Sequence, residues 1–122
     1  MARRPKDDGT AFETMCVKIF AAHGLLARRL ALAGSRDEGD LELHVNGLRC
    51  IVECKTREAL SAHDAYAQAK AKATDGTPVL LAWRRLKPLT EGRRRRTPVG
   101  TLVLMDLPTL FRLLGREGGG AL

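Results

Sequence analysis

The chain has 122 residues, enough for one domain with a single hydrophobic core. Its 44% hydrophobic and 29% charged residues are typical of a globular protein, which excludes a disordered chain, and no run approaches the ~20 apolar residues of a transmembrane helix. The net charge of +7 favours a polyanionic partner, although charge alone does not distinguish DNA, RNA and an acidic membrane.

We expect a single domain over residues 1–122, with flexible tails at 1–8 and 116–122. Arg3, Arg4 and Lys6 lead into no signal-like apolar run, which predicts a cytoplasmic protein. The three cysteines include no CxxC pair and fall on predicted apolar faces, so reduced and buried thiols are expected.

A first helix is predicted from Thr10 onward. Thr10 as the N-cap, with Glu13 three residues later, forms a capping box, and Gly24 is suited to end the helix. The apolar positions of this helix form one stripe of Phe12, Met15, Cys16, Ile19 and Phe20. Residues 25–33 are ambiguous between helix and strand, and we predict a strand because the apolar hairpin face that follows needs a neighbour. Residues 34–39 form a loop.

The segment 39–55 is the centre of the predicted fold. Asn46-Gly47 lies between two alternating stretches and predicts a two-residue β-hairpin, since both turn residues need a positive φ. This turn sets the strand register, which continues outward until Asp40 stands opposite Glu53. One face of the hairpin is then entirely apolar and carries Leu41, Leu43, Val45, Leu48, Cys50, Val52 and Cys54. Two opposed carboxylates destabilise a strand end unless a cation lies between them, and a divalent metal ion is one candidate.

The remaining elements follow the hairpin. A helix at about 59–74 leads by a crossover to an apolar strand at 78–83, which should be parallel to its partner. Residues 84–97 form a basic loop, 99–105 another strand, and Asp106 caps a last helix. The predicted fold is therefore α/β, with a mixed central β-sheet flanked by helices in the order α-β-β-β-α-β-β-α.

Two short motifs in the hairpin have a known counterpart. Asp40, followed on the next strand by Glu53-Cys54-Lys55, resembles the signature of the PD-(D/E)xK nuclease superfamily. The chain departs from the nominal pattern in one place, because Gly39 stands before Asp40 where that pattern has a proline. The proline is often missing in the superfamily, so the resemblance predicts a restriction-endonuclease-like core.

The resemblance extends over roughly residues 9–84. A glutamate in the first helix (Glu13), a Gly-Ser loop before the Gly-Asp pair, and a helix and a strand after the lysine resemble archaeal-type Holliday-junction resolvases and their phage-encoded relatives. If the chain is phage-encoded, we expect it in the host cytoplasm. The capping box explains Glu13 equally well, and the two roles are compatible.

The resemblance implies a Mg²⁺-dependent endodeoxyribonuclease of the PD-(D/E)xK type. Asp40, Glu53 and the backbone carbonyl of Cys54 would hold Mg²⁺, for which Mn²⁺ is expected to substitute, and Glu13 would complete the acidic cluster. Lys55 would position or help deprotonate the attacking water and stabilise the transition state. The catalytic set is thus Glu13, Asp40, Glu53 and Lys55.

A second group of residues is expected to contact DNA phosphates. Most of its members are basic: Arg29, Ser35, Arg36, Arg84, Arg85, Lys87, Arg93, Arg94, Arg95 and Arg96. Whether Arg28 or Arg29 faces the site stays open. Four consecutive arginines repel one another unless phosphates or counterions lie between them.

The predicted function is the cleavage of branched DNA, most specifically four-way junctions during DNA recombination, by a homodimer. One alternative is a nicking, flap or restriction-like nuclease of the same fold. Another is a nuclease-fold module that binds nucleic acid without catalysis, and a third is a basic RNA-binding or ribosome-associated protein.

Overall fold

The computed structural model describes residues 5–30, 39–73, 75–87 and 98–116. Over these residues the chain forms three helices and one five-stranded mixed sheet, in the predicted order α-β-β-β-α-β-β-α. The elements are α1 (Pro5–Ala22), β1 (Leu26–Arg29), β2 (Leu41–Val45), β3 (Leu48–Arg57), α2 (Ala62–Lys72), β4 (Val79–Leu86), β5 (Pro98–Leu104) and α3 (Leu107–Leu113). The strand prediction for residues 25–33 is therefore confirmed where the structure describes them.

The β2–β3 hairpin turns as predicted. Asn46 and Gly47 have φ of 51° and 77°, the left-handed pair that a two-residue hairpin turn requires. The ladder pairs Val45 with Leu48 and continues to Leu41 with Val52, which is the predicted register. A turn of fixed length leaves no freedom to slip by one residue, so each side chain falls on its predicted face.

The sheet has the strand order β1-β2-β3-β4-β5, and its two faces pack against different helices. The apolar hairpin face packs on α1 in a cluster that includes Phe12, Cys16, Leu41, Leu43, Cys50 and Val52. On the other face α2 buries Ala65 and Ala69 against Ile51 and Leu81. The predicted crossover is confirmed because β4 runs parallel to β3, and β5 then pairs antiparallel with β4.

The start of α1 differs from the prediction. The helix begins at Pro5, so Thr10 lies inside it and is not an N-cap, and the predicted capping box is wrong. Proline fixes φ near the helical value and lacks an N–H that the first turn would leave unpaired, which makes Pro5 a suitable first residue. Glu13 consequently has no capping role. Ile19, assigned to the buried stripe, is 47% exposed.

The start of the predicted basic loop also differs from the prediction. β4 continues to Leu86, so Arg84 and Arg85 are strand residues and not part of a loop. Neighbouring residues of a strand point to opposite faces, and these two arginines therefore do not share one phosphate-binding surface. Ser35, Arg36 and Arg93–Arg96 lie outside the described residues, as do most of the predicted tails.

The cap of the last helix agrees with the sequence. Asp106 caps α3 by accepting a hydrogen bond from Thr109 N at 3.0 Å. All three cysteines are free, with Cys16 and Cys50 buried. A hydrogen bond with Cys16 and burial raise the pKa of the Cys54 thiol, which keeps it protonated and unreactive. None of the helices in the described ranges is long and apolar enough to cross a membrane.

Candidate active site

Asp40 stands one residue beyond the last ladder pair of the hairpin. The preceding Gly39 has a φ of +119°, and this bend lets the Asp40 carboxylate turn toward β3. Asp40 Oδ2 accepts a hydrogen bond of 2.7 Å from the backbone N–H of Cys54. Asp40 therefore does not simply oppose Glu53 as an extension of the ladder. Its carboxylate is fixed on the edge of β3, next to the glutamate.

Glu53 is the most deeply placed acid of the site, with 4% of its surface exposed. Its Oε1 lies 2.8 Å from Lys72 Nζ and 3.8 Å from Lys55 Nζ. Its Oε2 is buried and has no hydrogen-bond partner in the described part of the chain. Burial raises the pKa of Glu53 and the charge of Asp40 adds to this effect, while the hydrogen bond from Lys72 opposes both.

Glu13 reaches the same region from α1. Its carboxylate lies 3.5 Å from Arg29 Nε, and its side chain is 18% exposed. Burial raises the pKa of Glu13, and the charge of Asp40 raises it further, against the lowering effect of Arg29. The structure thus brings the predicted acids Glu13, Asp40 and Glu53 into one electrostatic cluster. It also places Arg29, and not Arg28, beside that cluster.

The backbone of β3 contributes an acceptor at the same place. Ile51 N bonds to Pro78 O on the β4 side, whereas Cys54 N points to Asp40 on the β2 side. The N–H and C=O of one strand residue point to the same edge, so the Cys54 carbonyl is also directed toward the β2 side. β2 begins only at Leu41, and its ladder with β3 does not reach Cys54.

These groups suit a hard divalent cation in their chemistry. Two carboxylates and a carbonyl oxygen are the ligands that Mg²⁺ takes, and the buried, unpartnered Glu53 Oε2 is an acceptor without a donor. The described residues contain no group of three His, Cys, Asp or Glu side chains ready to hold a metal ion. The Cys54 carbonyl and solvent water would have to supply the remaining ligands, as is usual for Mg²⁺.

A separate ionic cluster lies on the same face of the sheet as Glu53. Glu42 binds Arg28 on β1, Arg49 on β3 and His44 on its own strand, at distances of 2.7–3.2 Å. Hydrogen bonds from Arg28, then His44 and Arg49, lower the pKa of Glu42 to about 2. This cluster ties three neighbouring strands together and accounts for the position of Arg28.

Sequence reasoning missed Lys72 as a residue of the site. Gln68, on the same helix, is exposed. The signal for Lys72 is its spacing: it follows Ala65 and Ala69 at i, i+4, i+7, the positions of α2 that face the sheet. A lysine on the buried stripe of a helix, over a strand that carries a buried acid, indicates an ion pair.

The other predicted DNA contacts lie outside the acidic cluster. The Arg84 guanidinium lies 5.9 Å from the centroid of the Phe12 ring, on the α1 face. Arg85 and Lys87 are exposed and form no described contact with Asp40 or Glu53. These three basic residues therefore lie around the end of β4 without forming one surface.

The chain is similar in structure to a protein of known fold. No protein-family model matches the chain, and no curated protein matches it. Among solved structures, the chain is similar to Hjc of Archaeoglobus fulgidus, a Holliday junction resolvase from an archaeal hyperthermophile. The two are 22% identical, the match covers 80% of this chain and 88% of that chain, and the TM-score is 0.46.

Proposed function

We propose that the chain is a Mg²⁺-dependent endodeoxyribonuclease that cuts branched DNA, with the four-way junction as its preferred substrate. The observation that carries the proposal is the buried Glu53 carboxylate, which has an unpartnered Oε2 beside the fixed Asp40 and two lysines on its Oε1. Unlike the buried Glu42, whose oxygens are held by Arg28, His44 and Arg49, Glu53 keeps one buried oxygen without a hydrogen-bond partner among the described residues. A carboxylate oxygen of this kind can serve as a ligand of the cation in metal-assisted hydrolysis of a phosphodiester.

Each residue of the site has a distinct role in this proposal. Asp40, Glu53 and the Cys54 carbonyl would hold the ion, which would supply a more acidic bound water and offset the charge that develops on the phosphate. Cys54 N–H fixes the Asp40 carboxylate before substrate arrives. Lys55, 24% exposed at its side chain, orients the attacking water and stabilises the developing oxyanion.

Glu13 and Arg29 form the outer part of the site. The Glu13 carboxylate adds negative charge near Asp40 and orients a water, while Arg29 holds Glu13 and offers its remaining donors to a DNA phosphate. Ser35, Arg36 and Arg93–Arg96 belong to the proposal as further phosphate contacts, on the basis of sequence.

The preference for a junction requires two equivalent sites, because one chain carries one acidic cluster and resolution needs two symmetric cuts. A homodimer with a two-fold axis is the simplest assembly that provides two equivalent sites. β5 is an edge strand of the described sheet, and it carries Val99, Leu102 and Val103 largely exposed. Further exposed apolar residues follow β5 in the chain, on α3 and at its C-cap: Leu107, Leu110, Phe111 and Leu114. We assign this surface to the dimer contact.

The test uses labelled DNA of equal length as a four-way junction, a flap, a nicked duplex and an intact duplex, each with Mg²⁺ or EDTA. We expect Mg²⁺-dependent paired cuts in the junction and little cutting of the duplex. Equal cutting of all four substrates would indicate a general nuclease of the same fold. Binding without cutting, by a folded protein with Mg²⁺ or Mn²⁺, would leave only a DNA-binding module.

A further inference from the structure

Lys72 holds a position that the proposed catalysis does not explain. It ends α2 and donates to Glu53 Oε1 at 2.8 Å, a full ångström closer than Lys55 does. Its side chain is 29% exposed, while the Glu53 side chain is 6% exposed. The stronger of the two ion pairs on Glu53 is therefore made by a helix residue outside the nuclease motif.

The two oxygens of Glu53 face different surroundings. Oε1 is directed to the lysines, and Oε2 lies on the side of Gly39, 3.7 Å from the position that a Cβ atom on Gly39 would occupy. Lys72 thus holds one oxygen on the α2 side and leaves the other beside the residue that precedes Asp40. This division separates the neutralisation of the charge of Glu53 from the coordination of an ion.

A buried carboxylate without a counter-ion is unfavourable, since burial removes the charge from water without compensation. From this geometry we infer that Lys72 is the internal counter-ion of Glu53 and sets the affinity of the site for a divalent cation. It neutralises the carboxylate when no metal is bound, and a metal ion must weaken this ion pair or bind against the positive charge of the lysine. The inference rests on the proposed function, because it concerns the same metal site.

Two opposing effects decide the consequence of removing Lys72. Loss of the hydrogen bond frees the Glu53 rotamer, and the cost of ordering this side chain around an ion weakens binding by at most about thirtyfold. Loss of the positive charge removes the repulsion between the lysine and a divalent ion a few ångströms away. This repulsion is larger than the ordering cost, even at an effective dielectric constant of about 20. Removal of Lys72 should therefore strengthen metal binding and lower the stability of the metal-free protein.

The experiment measures Mn²⁺ binding to the full chain without DNA, by calorimetry and by the EPR signal of free Mn²⁺. For Lys72→Met we expect Mn²⁺ affinity to rise about ten- to hundredfold, the factor that corresponds to one hydrogen bond to a charged group. The matched control is Lys70→Met, on the same helix, because Lys70 binds Asp106 and not Glu53. Lys72→Gln keeps a neutral donor in case Lys72→Met does not fold, and it should change affinity in the same direction.

The results separate the inference from the function it rests on. A purely structural Lys72 predicts a lower Tm of Lys72→Met with unchanged Mn²⁺ affinity, and that result, or weaker binding, overturns the inference alone. If neither the wild type nor the folded Lys72 variants bind Mn²⁺, both the metal site and the inference are wrong. An equal rise in Mn²⁺ affinity in Lys70→Met would also overturn the inference, since the loss of any nearby positive charge would then explain the result.

Discussion

Gly39→Ala tests whether the bend before Asp40 is as tight as the structure indicates. A methyl group at this position would overlap Cγ2 of Ile51, which is 3% exposed and cannot move aside without disturbing the cluster under α2. The φ of +119° is also a conformation that an L-residue rarely adopts. Backbone strain of this kind costs about 1–3 kcal/mol and overpacking a further 1–3 kcal/mol, so we expect a total loss of about 2–6 kcal/mol in the free energy of unfolding.

Gly24→Ala is the matched control. Gly24 has a similarly left-handed φ of +79°, but nothing lies within 4 Å of a Cβ atom there. The difference between the two variants isolates the overlap with Ile51, about 1–3 kcal/mol, which corresponds to a Tm difference of roughly 4 °C or more. Urea and thermal unfolding by circular dichroism measure both values.

The bend also matters for the site, because it sets the direction of Asp40. At a temperature where Gly39→Ala is still folded, we expect DNA cleavage to fall by at least tenfold, whereas Gly24→Ala keeps its activity. Equal losses of stability in the two variants would refute the close approach of Gly39 to Ile51. Full cleavage by Gly39→Ala would show that the bend does not position Asp40.

Three further predictions concern the site, the ionic cluster and the dimer. Asp40→Asn and Lys55→Ala should each abolish cleavage of labelled junction DNA and leave its binding in a gel-shift assay near normal, and a folded variant that cuts normally would remove that residue from the site. Glu42, whose pKa is held near 2, stabilises the protein above its ordinary pKa of 4.5, and this stability is lost as the pH falls toward 2. Glu42→Gln should therefore cost about 1.5–3 kcal/mol at pH 7 and show less further loss on acidification, measured by urea unfolding, whereas an unchanged pH profile would contradict this. Leu102→Lys on β5 should convert the dimer into a monomer, as measured by light scattering, while Leu26→Lys on the opposite edge strand should remain dimeric. A monomeric wild type would contradict the proposed dimer.

The central hairpin was predictable because its turn chemistry is local. Asn46-Gly47 admits few alternatives, and from that turn the two faces and the separation of apolar from acidic residues follow. The same reasoning did not extend to Asp40, which lies just past the ladder. Its position depends on the φ of Gly39 and on a hydrogen bond to Cys54, and neither is a property of strand alternation.

Other features depend on tertiary packing and were missed or misassigned. Thr10 and Glu13 match a capping box, but Pro5 begins the helix earlier, and a cap motif inside a helix has no effect. Lys72 pairs with Glu53 only because α2 packs across β3, a fact that sequence spacing suggests but does not establish. Arg84 and Arg85 were assigned to a loop, but they belong to β4, because this strand is longer than its apolar run.

The central claim is that Asp40 and Glu53 hold the divalent cation that cuts DNA. Anomalous diffraction from crystals soaked in Mn²⁺ tests it most directly, with Glu53→Gln as the comparison. We predict a Mn²⁺ peak in contact with the carboxylates of Asp40 and Glu53 in the wild type, and its loss in the variant together with cleavage activity. An ordered Mn²⁺ bound elsewhere, or cleavage that survives in Glu53→Gln, would contradict the claim.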